Sequence, residues 1–245
     1  MLRIEHVSKT YSKGKVKAVD DISLEVRPGE IFGFLGPNGA GKTTTIKMIT
    51  GILPVDQGKI TIYGHDIERE PIKAKLSMGF VPDTHDVYER LLGIEYLNFI
   101  ADVYNVDIQS RKDRIGKYLE MFEMKEAASQ PIKSYSHGMK QKIILTGALL
   151  HQPPLWILDE PLTGLDPRSA HLLKEEMHSH CSKGNTVFFS THVLEVAEKL
   201  CHRIGIINKG KIIAIGTLEE LRKSGDASLE SIFLSMTEEG SGYHG

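Results

Sequence analysis

Apolar and polar residues alternate along residues 2–7 and again along residues 19–26, the period-two pattern of half-buried strands. The second stretch runs into Arg27, Pro28 and Gly29, which is turn chemistry. Short unbroken apolar runs follow at residues 31–35, 78–81 and 155–158. Runs of this length predict strands buried on both faces, as in a parallel sheet. Residues 59–63 and 186–189 also read as strands, with Gly64, His65 and Asp66 as a turn, and residues 204–208 and 211–215 read as a hairpin across Lys209 and Gly210.

The pattern changes between residues 91 and 150. Apolar side chains recur there at helical spacing, first Leu97, Ile100, Ala101 and Tyr104, then Ile115, Leu119 and Phe122, and no strand pattern interrupts them. This predicts a mostly helical insertion, closed by Ser136, His137 and Gly138 and by a helix over 139–150. Further helices are predicted over 43–49, 71–76, 171–181 and 193–201. A helical tail is predicted from residue 217, its polar, glycine-containing end fraying. No internal repeat or low-complexity segment is present.

Composition narrows the function. The 245 residues allow one large domain or two small ones, and 40% hydrophobic with 25% charged residues is ordinary for a globular protein. A net charge of −2 argues against a broad basic nucleic-acid surface, and no nucleic-acid partner is expected. Cys181 and Cys201 fit no metal or redox spacing and read as reduced thiols. The N-terminus lacks the apolar core of a signal peptide, and the longest apolar-rich run, residues 143–150, is far short of the roughly 20 residues that span a bilayer.

The candidate chemistry starts at Gly36-Pro37-Asn38-Gly39-Ala40-Gly41-Lys42-Thr43-Thr44, which fits the phosphate-binding pattern G-x-x-x-x-G-K-[ST]. Backbone N–H groups wrap a polyphosphate best, and glycines supply the room and the positive φ that wrapping needs. Lys42 adds a positive charge for the phosphates and Thr43 a hydroxyl for Mg²⁺. The preceding apolar strand and the following helix give the motif its confirming context. Tyr11, upstream, offers a ring for base stacking, whereas Lys13, Lys15 and Lys17 read as a solvated face. Asp159 and Glu160 end the apolar run 155–158, a costly place for acids unless they hold a cation or a proton in flight. From the residues alone the reading is a Mg²⁺-dependent nucleoside triphosphatase.

The order of motifs adds to this. Phosphate loop, helical insertion, Asp159-Glu160 and His192 after Ser190-Thr191 follow one another, and Tyr135-Ser136-His137-Gly138-Met139 resembles the signature L-S-G-G-Q. Over residues 2–220 the chain resembles an ATP-binding-cassette (ABC) ATPase. The resemblance implies an α/β fold: a RecA-like phosphate-loop core with a mainly parallel sheet, an antiparallel β portion and an inserted helical subdomain at about 84–150, followed by a tail at 221–245. It implies that Tyr11 stacks on adenine, that residues 36–44 hold the phosphates of ATP, and that Thr43 and Asp159 hold Mg²⁺. Glu160 becomes the candidate base, and His192 a hydrogen-bond partner of the γ-phosphate. Ser136, Gly138, Met139 and Asp166 would meet the ATP of a second ABC ATPase subunit, identical or related, in a head-to-tail pair.

Two departures from the family pattern stand out. Asp83 replaces the usual glutamine and becomes a candidate Mg²⁺ ligand, while His137 and Met139 alter the signature. The signature form and the tail segment 228–234 resemble the subfamily that serves export-type, separately encoded membrane subunits. The function implied is an ATPase that powers an integral membrane permease, bound peripherally at the cytoplasmic face, with a groove beside the helical insertion receiving a short permease helix. The alternative is a soluble ABC ATPase of translation or DNA repair; such proteins generally carry tandem cassettes, a long coiled coil or a zinc hook, and this chain shows one cassette, no heptad array and no C-x-x-C.

Overall fold

The computed structural model describes residues 1–11, 16–84, 88–222 and 229–238. The chain runs β1 (Leu2–Tyr11), β2 (Val16–Val26), β3 (Ile31–Leu35), α1 (Lys42–Ile49), β4 (Gln57–Ile62), β5 (His65–Asp66), α2 (Pro71–Leu76) and β6 (Met78–Val81). The helical insertion follows as α3 (Gly93–Val103), α4 (Ile108–Met121) and α5 (His137–Leu149). Then come β7 (Leu155–Asp159), α6 (Pro167–Ser182), β8 (Thr186–Thr191), α7 (Leu194–Leu200), β9 (Arg203–Asn208), β10 (Lys211–Gly216), α8 (Leu218–Arg222) and α9 (Leu229–Glu238).

Two sheets result. The order β2-β1-β4-β5 is antiparallel, and β10-β9-β3-β8-β7-β6 is parallel except for the edge strand β10. Strands β3, β7 and β8 are buried at every position, so their apolar runs do not alternate. Leu2, Ile4 and Ile22 of the antiparallel sheet share one core with Phe32, Phe34 and Phe188. Trp156, Leu158 and Phe189 look the other way, into the core of the insertion with Leu97, Ile143 and Leu145. A third cluster, Leu35, Ile204, Ile206, Leu221 and Leu229, seats the tail helices on the sheet. At ~1.5–3 kcal/mol for each large side chain fully buried, these layers dominate stability.

Several boundaries differ from the sequence pattern, each for a local reason. His65 and Asp66 form the short strand β5 because Tyr63 and Gly64, both at positive φ, make the turn instead. Helix α6 begins at Pro167, not 171, since Asp166 caps it by accepting from Ser169 N at 2.9 Å and proline suits the first turn. Helix α5 begins at His137, two residues early, with Ser136 as its cap. The insertion also holds an isolated bridge, Leu92 to Pro131. Lys13, Lys15, part of the Asp83 loop and the final residues of the tail lie outside the described residues.

A buried polar node joins the insertion to the core. Tyr118 Oη and Lys117 Nζ of α4 both donate to Glu176 of α6, at 3.2 Å or slightly more. Nearby, His151 stacks on Tyr104 and donates from Nε2 to the Met78 carbonyl at 3.0 Å, while the His180 ring packs edge-on against Trp156. Burial pushes both imidazoles down from 6.5 to about 4; Arg114 adds repulsion at His151, Lys183 repels weakly at His180, and Glu176 opposes the shift there. Between those values the unfolded chain takes up protons that the folded chain refuses, so these groups make stability fall as pH drops from 6.5 toward about 4. The urea midpoint is therefore expected to be lower at pH 5 than at pH 7, and His151→Phe should shrink that difference. An undiminished difference in the variant would exclude His151 as a source.

Candidate active site

The loop between β3 and α1 is shaped by close backbone approaches. A Cβ on Gly36 would lie 2.5 Å from the Ile207 carbonyl oxygen, and one on Gly41, at φ 110°, 2.6 Å from that of Ala18, so neither position accepts a side chain. Lys42 is buried at 6% exposure and donates from Nζ to the carbonyls of Gly36 at 2.7 Å and Pro37 at 3.3 Å, closing the loop on itself. No side chain caps α1. Its first-turn N–H groups are thus open to an external anion, where the helix dipole favours negative charge. The loop, Ala18, Asp83 and Glu160 line a cleft of about 230 Å³.

Carboxylates crowd one side of this cleft. Asp159 is 1% exposed at the end of β7. Burial raises its pKa and the negative charges of Asp83 and Glu160 add to the rise, while hydrogen bonds from Ser190 and Thr43 oppose it. Ser190 Oγ donates to Asp159 Oδ1 at 2.5 Å and accepts from Glu160 N at 3.0 Å. Glu160 itself has φ 48°, an uncommon backbone state that turns the chain sharply after the strand. Its Oε1 lies 3.5 Å from Lys42 Nζ and 3.0 Å from His192 Nδ1. A carboxylate only accepts, so the His192 Nδ1–H is the donor. In this structure the hydrogen bond that His192 makes is to Glu160.

These residues fit a magnesium nucleotide. Thr43 and Asp159 offer hard oxygen ligands side by side, and a divalent ion would relieve three neighbouring carboxylates that face one ammonium. Among the described residues no three His, Cys, Asp or Glu side chains converge on a metal position.

A second group of expected site residues gathers elsewhere. Ser136 caps α5 by accepting from Met139 N at 3.3 Å, and a Cβ on Gly138 would lie 2.9 Å from the Gly164 carbonyl oxygen. Met139 packs against the core of the insertion. Asp166 caps α6 and pairs with Lys142 Nζ at 2.9 Å; the Ser169 N–H, and then Lys142, hold its carboxyl well below the usual range. None of these four residues lines the phosphate-loop cleft. Tyr11 stands at the end of β1, paired with Val16, and it is Ala18 of β2 that reaches the cleft wall.

Ser190 and Gln141 escaped the sequence reading. Gln141, 1% exposed, donates to the Pro161 carbonyl at 3.1 Å and so ties α5 to the segment after Glu160. For Ser190 a signal existed: a polar residue closing an apolar run two positions before His192.

Fold and loop together define a nucleoside-triphosphate-binding protein of the phosphate-loop class. Residues 19–163 match the family described as ABC transporter. The linearmycin resistance ATP-binding protein LnrL of Bacillus subtilis is 42% identical, over 94% of this chain and 74% of that protein. The Nod factor export ATP-binding protein I of Cupriavidus metallidurans is 36% identical, over 90% and 72%. Among solved structures, an ATP-binding subunit of an ABC transporter superposes with a TM-score of 0.92 at 33% identity, over 96% of this chain and 99% of that one. The chain belongs to the ABC transporter family, as an ATP-binding subunit of ABC-ATPase type. These relatives do not favour a soluble machine of translation or DNA repair.

Because Ser190 satisfies both Asp159 and the Glu160 amide, Ser190→Ala should lower unfolding free energy by about 1–3 kcal/mol, the penalty for stranding a buried polar group. An unchanged urea midpoint would show that this bond does not stabilise the site.

Proposed function

We propose that this chain is the Mg²⁺-dependent ATP-hydrolysing subunit of an export-type transporter, working at the cytoplasmic face of the cell membrane with a separate integral membrane permease. The observation that carries the reading is Glu160 Oε1 at the cleft, 3.5 Å from Lys42 Nζ and 3.0 Å from His192 Nδ1. Export is supported by the resistance and export functions in the relatives' names and by the form of the signature at residues 135–139. No helix among the described residues is long and apolar enough to cross a membrane.

The ATP-binding unit spans residues 1–220, with the helical unit at about 84–150 inserted and a tail from 221. Bound Mg-ATP supplies the phosphoryl group and the cation that neutralises its charge. Residues 36–44 bind the phosphates through N–H groups, and Lys42 exchanges loop carbonyls for phosphate oxygens. Thr43 and Asp159 would hold the metal, with Asp83 a further candidate ligand. Glu160 accepts a hydrogen bond from the attacking water, and His192 orients that carboxylate and faces the γ-phosphate. Tyr11 stacks on the base. Ser136, Gly138, Met139 and the Asp166 segment lie apart from their own chain's cleft and serve the ATP of a second cassette, identical or related, placed head to tail. Closure of such a pair on ATP, and its release after hydrolysis, would drive the permease.

Glu160→Gln should bind ATP with near wild-type affinity, hydrolyse it at least about 10²-fold more slowly and accumulate as an ATP-bound dimer on size exclusion. Lys42→Ala should instead lose ATP affinity in a titration. Chelating Mg²⁺ should abolish phosphate release, and readdition should restore it. Wild-type turnover by Glu160→Gln would remove Glu160 from the role of base, and turnover in chelator would remove the metal.

A further inference from the structure

Strands β9 and β10 are joined by Lys209 and Gly210 at φ 47° and 78°, the two left-handed residues of a tight hairpin turn. This turn is pressed against the back of the phosphate loop. Gly210 N donates to the Ala40 carbonyl at 2.9 Å, and the Gly210 carbonyl accepts from Asp20 N at 2.8 Å. Ala18, two residues before Asp20 in β2, sends its carbonyl oxygen into the same junction. A Cβ on Gly41 would lie 2.6 Å from that oxygen, and one on Gly210 2.9 Å. In β9, just before the turn, the fully buried Ile207 backs both ends of the loop: its carbonyl oxygen would meet a Gly36 Cβ at 2.5 Å, and its Cδ1 a Gly41 Cβ at 3.3 Å.

The Ala40 carbonyl and the Gly41 N–H belong to one peptide unit. That unit is planar and trans, so its C=O and N–H point in opposite directions. Drawing the Ala40 carbonyl out of the back of the loop onto Gly210 therefore turns the Gly41 N–H the other way, away from the hairpin. We infer that the β9–β10 turn is the backing of the phosphate cradle, with Gly210 a positioning residue that aims the Gly41 amide at the nucleotide. The inference rests on the nucleotide-binding reading of this cleft and adds to it a determinant from the far end of the chain. An alanine at 210 must hold a φ that L-residues resist and brings its Cβ against a backbone oxygen that no rotamer change can move. The turn shifts, and the Ala40–Gly41 peptide shifts with it.

The test is isothermal titration of the full chain with ADP, alongside thermal unfolding. Gly184→Ala is the control: Gly184 has φ 83° in another turn, and its added Cβ would meet nothing within 4 Å, so it carries backbone strain alone. Gly210→Ala should raise the ADP Kd about tenfold, the loss of one charge-assisted hydrogen bond, and raise KM for ATP more than it lowers kcat. Gly184→Ala should lose thermal stability yet bind ADP as the wild type does. Ile207→Val, which removes only the Cδ1 behind Gly41, should retain the fold and show a smaller rise in Kd; it decides the matter if Gly210→Ala does not fold. Unchanged ADP affinity in folded Gly210→Ala, or in Ile207→Val when it must decide, overturns the role of the turn. A wild-type chain that binds no ADP overturns the nucleotide reading beneath it.

Discussion

A carboxylate buried at the end of a strand is the constraint around which this site is arranged. Asp159 is nearly inaccessible, and a charge there must be held by hydrogen bonds or it takes up a proton. The parallel register of β7 and β8 places Ser190 directly opposite Asp159. Thr43 reaches it from the start of α1. Three separate stretches of chain thus converge on one oxygen-rich point, and Ser190 goes on to accept the amide of Glu160. The left-handed backbone of Glu160 then lifts its side chain out of the sheet, between Lys42 and His192. Asp159 and Glu160, the proposed metal-holding and water-activating positions, are consecutive residues separated by one backbone turn.

The molecule keeps its other expected nucleotide contacts apart from this cleft. Ser136, Gly138 and Asp166 surround the beginning of α5 and the segment after Glu160, and they are tied together within the chain. Gln141 holds Pro161, Lys142 holds Asp166, and Gly138 lies against Gly164. Under the proposed pairing, the surface offered to a partner's nucleotide is fastened to the segment carrying this chain's own base. A displacement at one site then reaches the other through a few short hydrogen bonds rather than through the whole fold.

The motifs that carry chemistry were legible in the sequence because their chemistry is residue-specific: only glycines fit at Gly36 and Gly41, and an acidic pair closing an apolar strand has few other uses. Buried parallel strands were equally plain, since both faces demand apolar residues. Boundaries set by capping were not, because Asp166 and Pro167 start α6 in a polar first turn that leaves no apolar period. Ser190 and Gln141 were hidden for a different reason. Their partners, Asp159 and Pro161, lie 31 and 20 residues away in the chain and are brought close only by the fold. The node of His151, His180 and Glu176 is of the same kind, and so is the contact between Gly210 and Ala40.

Under the proposed pairing, this chain hydrolyses ATP only when a second cassette completes the site. The decisive measurement is the specific ATPase activity of the purified chain across a wide range of protein concentration with saturating Mg-ATP. Activity per molecule should rise with concentration at the dilute end and level off as pairs form. Activity per molecule that stays constant down to the lowest concentration, with the chain monomeric throughout, would contradict it.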